Sequence, residues 1–361
     1  MLIIIFKYLK LYYLKYLSYF LISLKFRSIM TLLTSFFITF YLSPFFIYFF
    51  NKNKISQIIR NDGPITHLKK NNTPTMGGII LLLSIFFSVF FWSNLSNKYI
   101  SYIIISTILY SIIGFIDDYY KIIFNNAKGL SSYKKIFFQS LVTIIIIFIF
   151  YNKIDKFYIQ QLIIPFFNKI IKFHLNNIIY FIIVYFIIIG ISNSVNLTDG
   201  LDGLVIMPII FISLGLAILS YFVGDIYFSK YFNIFYIKSA KELIIICFSI
   251  IGSGLGFLWF NTYPAKIFMG DIGSLSLGFI ISIISIIIKQ EFLFLIMCGV
   301  FILESISVII QIIKFKYNKK RFFLMAPLHH HYELKGLKEP CIIVRFWIIS
   351  LILVLISLTI I

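Results

Sequence analysis

The sequence predicts an all-α, polytopic membrane protein with about ten transmembrane helices. Of its 361 residues, 60% are hydrophobic and only 12% are charged, and the mean hydropathy is +0.99. Apolar runs long enough to cross a bilayer recur along the whole chain. A transmembrane β-barrel would instead show segments of about ten residues with alternating polarity. We therefore expect a single integral membrane domain, residues 1–361, whose Lys- and Tyr-containing first segment, residues 1–27, lies at the membrane interface.

Ten apolar runs mark the predicted spans. Some are shorter than the roughly 20 residues that a spanning helix needs, so we expect flanking residues to complete them. The spans are Ile29–Phe50, Gly77–Trp92, Tyr99–Ile116, Ile136–Tyr151, Ile178–Ile191, Leu204–Val223, Leu243–Phe260, Leu275–Ile288, Phe292–Ile313 and Ile342–Ile361. The seventh contains Gly252, Gly254 and Gly256, and because no strand precedes them we expect close helix packing rather than a nucleotide-binding loop.

The net charge of +19 does not indicate a nucleic-acid partner. The basic residues lie between and beside apolar spans, where the anionic headgroups of membrane lipids are the nearer partners. The three cysteines, Cys247, Cys298 and Cys341, are widely spaced and form neither a disulfide framework nor a zinc pattern. The expected partners are therefore membrane lipids and no nucleic acid.

A polar segment, Gly190–Leu204, separates two of the most apolar runs in the chain. It reads GISNSVNLTDGLDGL, with two asparagines, two serines, a threonine and two aspartates. Hydrocarbon tolerates such a segment only where it lines a wet cavity or reaches the membrane surface. If the segment is helical, Asp199 and Asp202 share one face, because they are three residues apart.

The motif-like segments all fall on odd-numbered connections between spans. With about ten spans, alternate connections lie on the same side of the membrane, so these segments predict one composite site. They are Asn51–Met76, Asp117–Lys135, Gly190–Leu204, Asn261–Ser274 and Lys314–Pro340. A small excess of Lys and Arg on these connections predicts that they face the cytoplasm, with both chain termini outside.

Five aspartates stand on this predicted face. Asp117 and Asp118 follow the third span, Asp271 lies at the edge of the eighth, and Asp199 and Asp202 belong to the polar segment. Adjacent carboxylates near a membrane are costly unless they hold a cation, meet a lysine or share a proton. Carboxylates without thiolates or spaced histidines suit a hard cation such as Mg²⁺.

The remaining polar residues of this face suit an anionic phosphate substrate. His329, His330 and His331 are consecutive, so they cannot all point at one metal if they are helical, but they suit phosphate contact or proton transfer. Lysines supply point charges for phosphate, and Phe268 could stack on a base. The lysines in question are Lys70, Lys121 and Lys135, with Lys134 an adjacent alternative to Lys135. The chain has no P-loop. The combination of carboxylates, lysines and histidines at a membrane face therefore favours phosphotransfer to a lipid acceptor.

Five motifs then resemble one known family in matching order. They are TPTMGG (Thr73–Gly78), GFIDDYYK (Gly114–Lys121), NSVNLTDGLDGL (Asn193–Leu204), FLWFNTYPAKIFMGDIGSL (Phe257–Leu275) and MAPLHHHYELKG (Met325–Gly336). The family is that of the phospho-N-acetylmuramoyl-pentapeptide-transferases, among the polyprenyl-phosphate N-acetylhexosamine-1-phosphate transferases, and the resemblance runs nearly end to end. It implies ten transmembrane helices in the bacterial inner membrane, a cytoplasmic active site, Mg²⁺ dependence, and the transfer of phospho-MurNAc-pentapeptide from UDP-MurNAc-pentapeptide to undecaprenyl phosphate. A homodimer is a further expectation.

The resemblance also implies roles for individual residues. Asp117 and Asp118 would form an acidic pair, one of them a candidate base for the lipid phosphate, and Asp271 would be the principal Mg²⁺ ligand. We expect these three aspartates to contact the metal and to have catalytic roles. We also expect a catalytic role for His329, which would lie near the metal and the diphosphate. The expected substrate-binding residues are Lys70, Thr75, Lys121, Lys135, Asn193, Asn196, Asp199, Asp202, Asn261, Phe268, Gly270, Gln311 and His330.

Two other functions compete with this prediction. A sibling transferase would use UDP-GlcNAc for a different surface polymer, but siblings resemble the APLHHHYE stretch (326–333) less. A secondary transporter would also place carboxylates among broken helices, but near the middle of the membrane rather than at span ends on one side. The sequence does not distinguish direct attack by the lipid phosphate from a covalent aspartyl intermediate, and we favour direct attack.

Overall fold

The structure is a computed structural model that describes most of the chain. It covers residue 2 and residues 15–53, 55–56, 73–124, 129–153, 161–166 and 169–361. Within these residues it contains fourteen α-helices, a 3₁₀ helix and one hairpin of two antiparallel strands. The predicted interfacial segment, residues 1–27, lies partly outside this range.

The lengths of the helices follow the lengths of the apolar runs in the sequence. In chain order they are α1 Lys15–Ile22, α2 Leu24–Lys52, α3 Gly78–Trp92, α4 Lys98–Ile123, α5 Ser132–Lys153, α6 Asn177–Thr198, α7 Ile206–Val223, α8 Ile226–Tyr231, α9 Leu243–Asn261, α10 Gly270–Ile287, α11 Glu291–Met297, α12 Gly299–Asn318, α13 Leu328–Leu334 and α14 Glu339–Thr359. The 3₁₀ helix is Lys238–Glu242, and the strands are β1 Gln161–Phe166 and β2 Lys169–His174.

The ten predicted spans each have a helical counterpart. In the described part of the chain, eight helices are long and apolar enough to cross a membrane, namely α2, α4, α5, α6, α7, α9, α10 and α14. The other two counterparts are the 15-residue helix α3 and the pair α11–α12, which is bent by 74°. The predicted all-α, multi-pass membrane fold is thus confirmed.

Two local features differ from the sequence prediction. The β1–β2 hairpin, in which Leu162 pairs with Phe173, occupies a connection for which no structure was predicted. Helix α4 continues to Ile123, so that Asp117 and Asp118 lie within its last turns rather than at the start of a loop. Because each helical residue rises about 1.5 Å, this extension carries the acidic pair to the end of the bundle on a rigid element.

Helices α9 and α10 form the centre of the bundle. Helix α10 packs against α3, α4, α6 and α7, and 89% of its 18 residues are buried. Helix α9 packs against α2, α3 and α7. A Cβ at Gly252 would collide with the carbonyl oxygen of Leu32, and one at Gly256 would lie 2.7 Å from the carbonyl oxygen of Phe36. The glycines of the seventh span therefore allow the close approach of α9 to α2, as predicted.

The even-numbered connections are fastened by polar contacts of their own. The guanidinium of Arg27, at the start of α2, binds both carboxylate oxygens of Glu242, with 3.1 Å between Nη2 and Oε2. Its Nη1 also donates to the carbonyl oxygen of Trp92, at the end of α3. These contacts join the ends of three helices on the side opposite to the five motifs.

Candidate active site

The close approach of α4 to the start of α10 brings the acidic residues of two motifs together. A Cβ at Gly114 of α4 would lie 2.5 Å from the carbonyl oxygen of Asp271. One turn later α4 carries Asp117 and Asp118, whereas Asp271 is the second residue of α10. Because glycine has no side chain to separate the two backbones, Gly114 fixes the spacing of the three carboxylates.

Asp117, Asp118 and Asp271 form a compact cluster of carboxylates. One oxygen atom from each lies within 4.8 Å of the others. Asp117 and Asp118 are 2% and 3% exposed. Buried like charges at this spacing repel one another strongly unless cations compensate them.

Two lysines supply that compensation. Lys121 Nζ lies 2.7 Å from Asp117 Oδ2, 3.0 Å from Asp271 Oδ2 and 3.5 Å from Asp118 Oδ1. Lys135 Nζ, on α5, donates to Asp271 Oδ2 and lies 3.8 Å from Asp117 Oδ2. The neighbouring Lys134 is exposed. The structure thus distinguishes the two adjacent lysines, and Lys135 is the one that faces the site.

Backbone amides hold two of the carboxylates in place. Asp118 Oδ2 accepts a hydrogen bond from the backbone N–H of Ile272 at 3.1 Å, which caps the first turn of α10. Asp117 Oδ1 accepts from the backbone N–H of Leu130 at 2.8 Å. Each carboxylate therefore keeps its other oxygen for the lysines, and Asp118 also benefits from the positive end of the α10 dipole.

Gly270 and Thr75 border this cluster. Gly270 begins α10 with a φ of +74°, in the left-handed region that favours glycine. A Cβ there would lie 2.6 Å from Asp118 Oδ2 and 3.2 Å from Thr75 Oγ1. Thr75 is buried and belongs to the first motif, so the structure brings three motifs to one point.

Asn196 and Asn193 enter the site from the last two turns of α6. Asn196 Nδ2 donates to Asp271 Oδ1 at 2.9 Å and to Ser274 Oγ at 2.8 Å, and its Oδ1 accepts from Lys135 at 3.3 Å. Asn193 pairs with Gln139 of α5, to which it donates at 2.8 Å. The polar segment predicted between two spans is thus helical up to Thr198 and turns only at Asp199.

Asp202 and Asn261 fasten the segment that leads to α10. Asp202 Oδ2 accepts from the backbone N–H of Ala265 at 2.9 Å, and Asn261 Nδ2 donates to the carbonyl oxygen of Ile267 at 2.7 Å. Asp199 directly follows α6 and Asp202 lies in a turn, so these two aspartates do not share a helical face, as they would if the segment were helical. Phe268 is half-buried, and its backbone exchanges hydrogen bonds with Pro74 and Gly77 of the first motif.

Asp199 lies at the edge of the cluster, directly after α6. Burial, followed by the negative charges of Asp271 and Asp118, raises the pKa of Asp199 to about 8. Gly200 follows it, and a Cβ at that position would collide with Nε2 of His329. The fifth motif therefore meets the polar segment at this turn.

The segment 322–331 is held against α12 by two side chains seven residues apart on that helix. Gln311 Oε1 accepts from the backbone N–H groups of Phe322 and Phe323 at 3.0 and 2.9 Å. Glu304 accepts from the backbone N–H groups of Leu328 and His329 at 2.6 and 3.2 Å. The segment then continues as α13, on which His329 and His330 lie.

The five predicted motifs therefore meet at one end of the bundle. His330 Nδ1 lies 2.7 Å from Oε2 of Glu333, on the same helix. Lys70 lies outside the described residues. Sequence reasoning missed Gln139 and Ser274, although Gln139 is four residues from Lys135 and Ser274 three from Asp271, so that each shares a helical face with a predicted residue.

The cluster fits a hard divalent cation. All of its candidate ligands are carboxylate oxygens, and all three come from helical turns. Mg²⁺ prefers such oxygens and commonly takes one or two protein carboxylates together with substrate phosphates. The chemistry of the donor set therefore agrees with the expected metal.

Comparison with known proteins identifies the family. Residues 100–289 match the model of glycosyl transferase family 4, and residues 70–82 match the signature 1 of phospho-N-acetylmuramoyl-pentapeptide-transferase. Phospho-N-acetylmuramoyl-pentapeptide-transferases of Buchnera aphidicola subsp. Acyrthosiphon pisum, strains 5A, APS and Tuc7, are each 54% identical over 333 residues, which cover 92% of this chain and 93% of each relative. The family predicted from the five motifs is confirmed: the chain belongs to the phospho-N-acetylmuramoyl-pentapeptide-transferases.

Proposed function

We propose that the protein transfers phospho-MurNAc-pentapeptide from UDP-MurNAc-pentapeptide to undecaprenyl phosphate, giving lipid I and UMP, at the cytoplasmic face of the bacterial inner membrane. The observation that carries the proposal is the cluster of Asp117, Asp118 and Asp271 with Lys121 and Lys135, at which the family's motifs converge. The name and the near-complete coverage of the relatives support the same reaction. An expected homodimer stays a prediction.

The donor lies, in this proposal, across the segments contributed by the first, third, fourth and fifth motifs. Half-buried Phe268 offers a ring on which uracil could stack, beside the side chains of Asn261 and Asp202 that hold its segment. The remaining proposed binding residues surround the diphosphate and the sugar. They are Lys70, Thr75, Asn193, Asn196, Asp199, Gly270, Gln311 and His330.

Lys121 and Lys135 neutralise phosphate charge. Lys121 already contacts all three carboxylates and Lys135 contacts two of them, so each ammonium group is fixed and partly desolvated before a substrate arrives. A preorganised cation stabilises the charge that develops on phosphate oxygens without the cost of reorganising water. Asn196 assists by holding both Lys135 and Asp271.

Asp271, with Asp117 and Asp118, would hold Mg²⁺. When bound, the ion would polarise the pyrophosphate and neutralise charge on it, which is the usual contribution of this metal to phosphoryl transfer. Asp271 is the principal ligand in this proposal, and the side chains of Lys135 and Asn196 each hold one oxygen of its carboxylate in place.

The reaction proceeds, in this proposal, by direct attack. An oxygen of undecaprenyl phosphate forms a bond to the phosphorus that carries MurNAc, the bond from that phosphorus to the bridging oxygen breaks, and UMP leaves with the bridging oxygen. Asp117 accepts the proton of the lipid phosphate in this proposal, and Lys121, whose Nζ lies 2.7 Å from Oδ2, holds the carboxylate in place. No covalent aspartyl intermediate is needed.

Purified protein in detergent provides the test. It is given undecaprenyl phosphate, Mg²⁺ and either UDP-MurNAc-pentapeptide or UDP-GlcNAc, and release of UMP and formation of the lipid product are measured. We expect turnover with the peptide-bearing donor. Turnover with UDP-GlcNAc alone would identify a sibling transferase, and absence of turnover with either donor would refute phosphotransfer. Activity without a sealed compartment would exclude transport as the sole function.

A further inference from the structure

Glu304 is a fully buried carboxylate outside the cluster described above. It lies on α12 and its exposed fraction is 0%. Its Oε2 accepts from the backbone N–H of Leu328 at 2.6 Å and its Oε1 from that of His329 at 3.2 Å. A buried charge is tolerated only with such partners, and these two fix the carboxylate at the start of α13.

The same carboxylate is also the neighbour of the His329 ring. Oε1 of Glu304 lies 3.3 Å from Nδ1 of His329, off the line of an ideal hydrogen bond. The histidine is 1% exposed, and Nδ1 has no other polar partner in the part of the chain that the structure describes. A small rotation of the ring would align Nδ1–H with the carboxylate and so complete the hydrogen bond. The Glu304 carboxylate therefore favours the tautomer of His329 that carries the proton on Nδ1.

The other ring nitrogen of His329 points towards the polar turn that follows α6. Its Nε2 packs so tightly against Gly200 that a Cβ there would collide with it. Gly200 directly follows Asp199, whose carboxyl lies within electrostatic reach of Asp271 and Asp118. The ring thus spans the distance between Glu304 on α12 and the polar turn at the end of α6.

We propose that Glu304 is a positioning residue for the phosphoryl transfer, acting through His329. It holds the start of α13 and the Nδ1 side of the ring, so that Nε2 is presented to the phosphate groups in one orientation and one tautomer. This inference rests on the proposed function. A carboxylate that orients a functional histidine through its second nitrogen is a common arrangement, and its removal typically lowers activity about 10- to 100-fold.

The variant Glu304→Gln tests this inference, because glutamine keeps the shape of the side chain and one oxygen for the backbone N–H groups but loses the charge. We expect kcat to fall about 10- to 100-fold, as for other partners of functional histidines, with the KM for the UDP-sugar unchanged within about twofold. Glu291→Gln is the matched control, since Glu291 is also buried and accepts a hydrogen bond at 2.7 Å, from Tyr180, at the other end of the bent helix pair. We expect the control to keep its kcat within about twofold.

A double-mutant cycle with His329→Ala separates positioning from general support of the fold. If Glu304 acts through His329, Glu304→Gln causes no further loss of kcat once His329 is alanine. Losses that multiply in the double variant would overturn the inference, as would a Glu304→Gln enzyme with wild-type kcat. Hydrogen exchange over residues 324–334 checks that the segment stays folded, and increased exchange together with a parallel rise in KM would assign Glu304 a structural role instead.

Failure of the inference is distinguishable from failure of the proposed function. If the wild type makes no lipid I, the proposed function is wrong. If the wild type makes lipid I and the Glu304→Gln variant does so at the same rate, only the positioning role is wrong.

Discussion

The pair Lys134 and Lys135 offers a direct test of the site, because the two residues are chemically identical and adjacent. We consider the change Lys135→Gln, which removes the ammonium but keeps a polar side chain. In the wild type that ammonium binds Asp271, lies 3.8 Å from Asp117 Oδ2 and donates to Asn196 at 3.3 Å. The variant leaves Lys121 as the remaining cation in contact with the three carboxylates in the described chain.

The magnitude follows from the contact that is lost. A hydrogen bond between charged groups contributes about 1.5–3 kcal/mol. Since 1.36 kcal/mol corresponds to a tenfold change in rate, Lys135→Gln should lower kcat/KM by about 10- to 150-fold. The matched control Lys134→Gln should stay within about twofold of the wild type, because exposed charges contribute about 0–1 kcal/mol; Lys134 is exposed and has no ion pair in the part of the chain described by the structure.

The assay measures UMP release by purified variants in one detergent at saturating Mg²⁺, with thermal unfolding recorded for each protein. Equal activities of the two variants, or the larger loss in Lys134→Gln, would refute the placement of Lys135. A loss of activity that is matched by unfolding of Lys135→Gln at the assay temperature would assign that lysine to stability instead.

Three further predictions concern single residues. Asp117→Asn should lower the chemical step more than UDP-sugar binding, which single-turnover kinetics and a nucleotide-binding assay can separate; equal losses would contradict a base role. Gly270→Ala should lower the melting temperature and activity together, because Gly270 has a φ of +74° and a Cβ there would lie 2.6 Å from Asp118 Oδ2; a variant indistinguishable from the wild type in both would contradict this strain. Asp199 has a pKa of about 8 against an ordinary 3.8, so it retains a proton in the folded state that the unfolded chain releases, and the wild type loses stability between those pH values. The melting temperature of Asp199→Asn minus that of the wild type should therefore increase from pH 5 to pH 8 and stay constant above pH 8. A difference that does not change with pH would contradict the raised pKa.

Much of the architecture follows from the sequence because the bilayer restricts the choice. Backbone groups in hydrocarbon must be paired within the segment, so apolar runs of sufficient length become helices. Alternation of connections then predicts which motifs share a face. The contacts among Asp117, Asp271 and Asn196, which come from three different connections, bear out that argument.

Helix ends are less predictable from composition. From their polarity alone, Asp117 and Asn196 are predicted to lie in loops. In the structure they belong to α4 and α6, because neighbouring helices and lysines provide hydrogen-bond and charge partners for their side chains. Hydropathy measures transfer to lipid and does not register such partners, so predicted spans end too early wherever the site is polar. The β1–β2 hairpin was not predicted because each strand is only six residues long and neither alternates regularly between polar and apolar residues.

The choice between Lys134 and Lys135 required the structure. Adjacent helical residues point about 100° apart, and only the packing of α5 against α6 decides which of them faces Asp271. The role of Gln311 shows the same limit. Gln311 and Glu304 are seven residues apart and therefore share one face of α12. That spacing does not reveal that this face holds the segment 322–331.

The most direct test of the central claim, a single carboxylate site at one end of the bundle, is Mg²⁺-dependent synthesis of lipid I by Asp271→Asn. Its matched control is Asp225→Asn, since Asp225 is also a carboxylate bound to a lysine, Lys241, but belongs to an even-numbered connection. We expect Asp271→Asn to lose activity at all Mg²⁺ concentrations and Asp225→Asn to retain it. Full activity of Asp271→Asn, or equal losses in the two variants, would contradict the account.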